Sequence, residues 1–180
     1  MRIQGSLLLL IAVLVCAGCY FASPCHSSAQ PPAKPPELKV LERFIGKWKI
    51  ETISKPAEWT PKEERFTGTS TNEWVLDGWF QHHKVKDDQG TEGIELLTFD
   101  PRMKTYRYWS FFSNGLIKEM TGEWDEKSKT FTTKADIGNG ITVVGKMHFI
   151  DSDNRESTVV AKDAAGKVYL DLRGKLTRQK

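Results

Sequence analysis

No cysteine lies beyond residue 25. The three present, Cys16, Cys19 and Cys25, all fall near the start of the 180-residue chain. The body of the protein therefore has no disulfide, no thiol nucleophile and no thiolate metal ligand. Charge of one sign is also missing. Residues 1–36 hold two bases, Arg2 and Lys34, and no acid, which leaves 24 bases against 23 acids over the rest. A nearly neutral, interspersed pattern excludes the basic footprint of a nucleic-acid binder. Phosphate loops, nucleophile elbows and metal-ligand spacings are absent as well. His82 and His83 are adjacent on a strand-like segment, so they point to opposite faces and cannot hold one metal together. His148 opposes Met147 and Phe149, which directs it to solvent and argues against a haem-binding interior. Glu119 and Glu123 oppose Met120 and Trp124, which makes them a solvated pair and not an acid–base couple. On these grounds the sequence predicts a protein that is not an enzyme and carries neither cofactor nor metal.

An apolar run long enough to cross a membrane is likewise lacking. Leu7–Val15 is unbroken, but a spanning helix needs about 20 apolar residues. With Arg2 ahead of it and small residues behind, the run reads as a secretory signal. Its exit, Val15-Cys16-Ala17-Gly18-Cys19, resembles the bacterial lipobox, in which small residues precede a cysteine that is acylated and becomes the new N-terminus. That resemblance implies lipidation of Cys19 and attachment to a membrane in the cell envelope. Cys16 departs from the pattern, where leucine is usual, and ordinary cleavage after Ala29 with secretion stands as the alternative. The segment Gln30-Pro-Pro-Ala-Lys-Pro-Pro36 is a polyproline-type spacer of the kind that holds a domain off a surface. The division expected is a signal over 1–19, a linker over 20–37 and a folded domain over 38–180.

What the domain does have is aromatics and turns. Six Trp, four Tyr and nine Phe suit strands and a barrel lining. Turn chemistry recurs near residues 77, 88, 101, 114, 126, 139, 152 and 164. The steps between these leave room for one strand each and none for a crossover helix. Asn114-Gly115 is the most specific signal, because a tight hairpin turn favours positive φ. Adding the segments 47–53 and 64–76 gives ten strands, preceded by a short helical piece over 37–44. A meander of that length must close or leave long exposed edges. The expected fold is all-β: a single up-and-down antiparallel β-barrel of about ten strands with a short N-terminal helical turn. A sandwich would need longer connections than any seen after residue 64. The irregular stretch 54–63 would form either a flap over one mouth or a packed loop.

With strands placed, Phe44-Ile-Gly46-Lys-Trp48 resembles the Gly-x-Trp signature that opens strand A of lipocalins and their calycin relatives. Glu73-Trp74-x-Leu76-x-Gly78-x-Phe80, Phe99-Asp100-Pro101 with Tyr106 and Trp109, and Gly122-x-x-Asp125 extend the match. Together they resemble a bacterial lipocalin-like domain of unknown function. The resemblance implies the fold and leaves function open. It also implies an arginine of the last strand stacked on Trp48. Arg173 is the nearest counterpart, although Val168, Leu170, Leu172 and Leu176 put it on the opposite face.

Alternation then assigns inward faces: Trp48, Ile50 and Thr52; Phe66, Ser70, Asn72, Trp74 and Leu76; Leu116, Met120 and Trp124; Ile141, Val143, Met147 and Phe149. The fifth strand is ambiguous between Tyr106, Tyr108 and Phe112 and the opposing Trp109 and Phe111. An apolar interior with a few polar groups suits a small apolar or amphipathic ligand. The candidate ligand-binding residues are Trp48, Asn72, Trp74, His83, Tyr108 and Trp124. The competing reading is a barrel filled by its own aromatics, acting in the envelope through its outer face.

Overall fold

The computed structural model describes residues 33–180. Cys16, Cys19, Cys25, the signal and most of the linker lie outside the described residues. Within them, a single helical turn, α1 (Leu38–Leu41), runs into a 3-10 turn (Glu42–Phe44). Ten strands follow: β1 (Gly46–Lys55), β2 (Glu64–Val75), β3 (Phe80–Asp87), β4 (Glu92–Asp100), β5 (Thr105–Phe112), β6 (Ile117–Asp125), β7 (Thr130–Asp136), β8 (Thr142–Phe149), β9 (Asn154–Lys162) and β10 (Val168–Gln179). Each pairs antiparallel with its sequence neighbours, and β1 pairs with both β2 and β10, so the meander closes into a barrel. Closure removes the free edges that a ten-strand sheet would otherwise present.

The helical turn plugs one end. Leu38, Leu41 and Phe44 are buried in a cluster with Leu97, Phe99, Tyr106, Phe131 and Phe149. Phe44 meets Phe131 and Phe149 edge-on at centroid distances of 5.4 and 4.9 Å. A helix leaves its last carbonyls unpaired, and here barrel side chains take them. Trp48 Nε1 and Asn72 Nδ2 each donate to the Phe44 carbonyl at 2.9 Å, and Gln81 Nε2 donates to that of Leu41. Near the start of the helix, Tyr106 donates its hydroxyl to the Glu37 carbonyl at 2.9 Å. The plug is therefore bonded to β1, β2, β3 and β5 at once.

Three local expectations change, and the stretch left open between a flap and a packed loop can be described. Leu76 is exposed at 69% and sits with Asp77 in the left-handed region, because the chain makes a 3-10 turn before β3. Leu116 is also exposed, lying beyond the end of β6. The Asn114-Gly115 hairpin carries positive φ at Gly115 alone among its loop residues. Phe112 and Leu116 close a three-residue loop, in which glycine takes the left-handed position. In the 54–63 stretch, whose first two residues end β1, Trp59 N donates to the Tyr169 carbonyl at 2.9 Å and the two rings lie 5.4 Å apart, which holds this largely exposed connection against the start of β10.

The arginine over Trp48 is also corrected. Arg173 is solvent-exposed and paired with Asp171, Nε to Oδ1 at 2.7 Å. Trp48 is instead in register with Arg178, whose guanidinium lies 4.3 Å from the indole centroid. The phase that excludes Arg173 selects Arg178, because Leu172, Gly174, Leu176 and Arg178 alternate inward. Gly46 makes room for this contact. Its φ is +118°, and a Cβ there would collide with Arg178 Nη1. Gly46→Ala is expected to lower stability by about 1–3 kcal/mol through strain and displacement of Arg178. Urea unfolding would show this as a lower midpoint at unchanged slope.

Candidate functional site

Alternation carries polar as well as apolar residues into the interior, and register decides where they meet. Asn72 of β2 lies opposite His83 of β3, His83 opposite Glu95 of β4, Glu95 opposite Ser110 of β5, and Ser110 opposite Lys118 of β6. Five successive strands thus contribute one inward polar residue each to a single cross-strand row. Tyr108 flanks that row on β5. The facing wall is mainly aliphatic, with Ile50 of β1, Val143 and Met147 of β8, Val159 of β9 and Leu176 of β10, and Ser157 and Arg155 of β9 are its polar members. Between the two walls lies a cavity of about 270 Å³, lined by both sets and by Phe44 and Phe131. The barrel is therefore not filled by its own aromatics.

Within the row, His83 is 4% exposed. Its Nε2 stands 3.0 Å from Gln81 Oε1. The Gln81 amide nitrogen is committed to Leu41, so that oxygen accepts and His83 Nε2 carries the proton. Nδ1 then faces Glu95 Oε2 at 3.6 Å, beyond hydrogen-bond reach. Burial pushes His83 below its ordinary value, against the opposing pull of Glu95. For Glu95, burial acts upward, but its neighbours His83 and Tyr108 and the Lys118 charge outweigh it and hold the carboxyl low. Ser110 adds a hydrogen bond from Oγ to Oε1 at 3.3 Å. Burial and the nearby Glu95 charge raise the Tyr108 phenol well above its usual range.

Arg155 of β9 enters at the plugged end. It is 3% exposed, and its guanidinium lies 3.8 Å from the Trp48 centroid and 5.2 Å from that of Phe44. Among the described residues, neither its Nε nor its Nη1 has a hydrogen-bond partner. Burial, reinforced by the Arg178 charge, lowers its pKa to about 9.

Of the six residues the sequence singles out, Asn72, His83 and Tyr108 line the cavity. Trp48 lies beneath it, fully buried against Arg155. Trp74 packs on the plug cluster. Trp124 also belongs to the plugged end, with its Nε1 bonded to Glu126 at 2.7 Å and Arg43 5.1 Å from its ring. Glu95, Lys118 and Arg155 were missed. Alternation with Leu97 and Phe99, and with Met120, points Glu95 and Lys118 inward, but a rule that seeks apolar faces passes over charges.

Because burial makes His83 bind protons less readily, and neighbouring groups do the same for Glu95 against its burial, the folded state holds fewer protons than the unfolded chain on the acid side. Stability is expected to fall as pH drops below the ordinary histidine value of 6.5, where His83 of the unfolded chain takes up a proton, and again below the carboxylate value of 4.5, where Glu95 does. The double variant His83→Gln, Glu95→Gln should flatten both falls, as read from urea midpoints on either side of each value.

Known proteins agree with the architecture. An S-type phycobiliprotein lyase, CPES, from Guillardia theta is 13% identical with a TM-score of 0.52, over 79% of this chain and 92% of its own. Rv2717c from M. tuberculosis is 14% identical with a TM-score of 0.61, over 82% of this chain and all of the other. A DUF3598-family protein of unknown function from Nostoc punctiforme is 11% identical with a TM-score of 0.50; the likeness spans 77% of this chain and about half (48%) of that protein. At such identities the likeness carries the fold alone. It nevertheless corrects one expectation: a lyase is built on this barrel, so a missing motif does not exclude an enzyme. The physical reason is that a meander supplies interior groups one per strand, and no compact sequence motif records them. No curated protein matches the chain. Residues 34–178 match the family described as protein of unknown function DUF1579, and the chain belongs to that family.

Proposed function

We propose that this DUF1579 protein is an exported barrel, tethered to a membrane through an acylated Cys19, that takes a small amphipathic ligand into its interior. The observation that carries the reading is the two-sided cavity. One wall is a row of polar groups from Asn72 to Lys118; the other is mainly aliphatic. A filled structural barrel would have no use for a buried histidine with a half-buried glutamate and lysine in register, because taking each from water costs free energy. A ligand with one polar and one apolar side fits such walls, and a volume of this order sits at the small end of ligand sites. With the plug at one end, access is assigned to the other, where the β1–β2 connection and the β-hairpin turns lie.

The export half of the proposal rests on the Leu7–Val15 run, the small residues before Cys19 and the proline spacer. A single acyl group binds a membrane only marginally, so stable anchoring needs the paired acylation that a lipobox directs.

Each half has its own experiment. Titration of the full chain with 1-octanol, followed by tryptophan fluorescence and calorimetry, is expected to show saturable one-site binding. Val143→Trp, which fills the aliphatic wall, should weaken that binding at least about tenfold while far-UV circular dichroism stays the same. Absence of binding in the unmutated protein would end the cavity reading. In cells, Cys19→Ala should abolish incorporation of labelled acyl chains and shift the protein out of the membrane fraction; unchanged labelling would end the lipidation reading.

A further inference from the structure

We propose that the ligand's polar end is a carboxylate, seated at the plugged end of the cavity against Arg155, with the apolar part directed toward the open mouth. This rests on the binding reading above and specifies the chemistry of the ligand.

Arg155 carries the argument. It is more than nine-tenths buried and lines the cavity, and among the described residues its Nε and Nη1 have no hydrogen-bond partner. A buried guanidinium without acceptors is costly, and such groups are ordinarily paired. Arg178, close by, shows what compensation looks like: it bonds Ile45, donates to the Ser152 carbonyl at 2.9 Å and meets Asp153 at 3.1 Å. Among the described residues no hydrogen bond reaches Arg155 Nε or Nη1, and the Glu95 charge acts on the guanidinium only through space. Its face is taken by Trp48, which leaves the edge, where the N–H donors lie in one plane. That edge matches the two coplanar oxygens of a carboxylate.

The charge count inside the cavity points the same way. Glu95 is the one carboxylate among the lining residues, against three cations, Lys118, Lys146 and Arg155; Lys146 is exposed and alternates outward between Gly145 and Met147, which leaves Lys118 and Arg155 inside. Lys118 lies on the polar row with only Ser110 between it and Glu95, so that pair balances locally and Arg155 is left over. The position of Arg155 sets the orientation. It is in register with Phe149 and Leu176 at the plugged end. Val143 and Val159, further along β8 and β9, receive the apolar part. A volume of about 270 Å³ lies at the small end of ligand sites, which favours a short-chain acid over a long-chain one.

Three eight-carbon probes test this on the full chain by calorimetry: octanoate, 1-octanol and octylamine. Octanoate is expected to bind at least about tenfold tighter than octanol, the usual scale of a charge-assisted pair, with octylamine weakest. Arg155→Met should bring octanoate down to the level of octanol and leave octanol no weaker, while Arg155→Lys should keep part of the preference. Since Arg155 supports Trp48 and the variants can unfold, the Arg155 Nε–H resonance in the unmutated protein gives a second readout. It should shift with octanoate and stay in place with octanol. Octanol binding as tightly as octanoate, a preference that survives Arg155→Met in folded protein, or an unmoved Nε–H resonance at octanoate saturation would each overturn the carboxylate site and leave the cavity reading standing. No binding of any probe would remove both.

Discussion

Trp48 is the point on which the closed end of the barrel is assembled. Its indole N–H holds the last carbonyl of the helical plug, and two guanidinium groups, from β9 and β10, lie over its ring at 3.8 and 4.3 Å. β1 and β10 are also the seam where the first strand meets the last, so one side chain ties closure of the sheet to closure of its mouth. A desolvated cation–π contact contributes about 2 kcal/mol, and two on one ring bring like charges close together. Arg178 offsets that with Asp153 and two backbone carbonyls. Among the described residues Arg155 Nε and Nη1 have no hydrogen-bond partner; burial and the Arg178 charge lower its pKa, and the Tyr108 and Glu95 charges offset this only in part. The stress is placed where the plug ends and the cavity begins.

From that floor the interior divides by strand. β2 to β6 present the row Asn72, His83, Glu95, Ser110 and Lys118, while β8, β9, β10 and β1 present mainly aliphatic side chains. Antiparallel pairing makes such a row cheap to build, because directly opposed residues on neighbouring strands have Cβ atoms about 4.5–5.5 Å apart. A one-residue slip anywhere in β3 to β5 would turn His83 or Glu95 to solvent and bring Lys84 or Ile94 inward. The turns between these strands therefore matter to the cavity as much as the residues that line it.

Much of this was legible before any coordinates. Turn spacing marked the strands, the Gly46-x-Trp48 pair marked the entry to the barrel, and alternation placed Ile50, Ser70, Asn72, Met120, Val143 and Met147 on the interior face. Tyr108 could not be assigned, since β5 is aromatic on both faces and the hydrophobic pattern has no phase there. β4 hides Glu95 in the same way, with Ile94 and Leu96 outside against Leu97 and Phe99 inside. Trp74 and Trp124 were correctly turned inward but belong to the plugged end, because alternation gives the face of a residue and not its height in the barrel.

The sequence by itself determined the class of fold, the number of strands and the absence of disulfide or thiol chemistry from the domain, because these depend on local turn chemistry and composition. Only the tertiary structure decided that a cavity exists and which arginine lies over Trp48. It also decided that one histidine, one glutamate, one lysine and one unpaired arginine share the interior. Those facts depend on register between strands distant in sequence, from β3 at residue 83 to β9 at residue 155, and on how far the plug reaches into the barrel. Both are set by packing the whole chain together and leave no trace in any short segment of it.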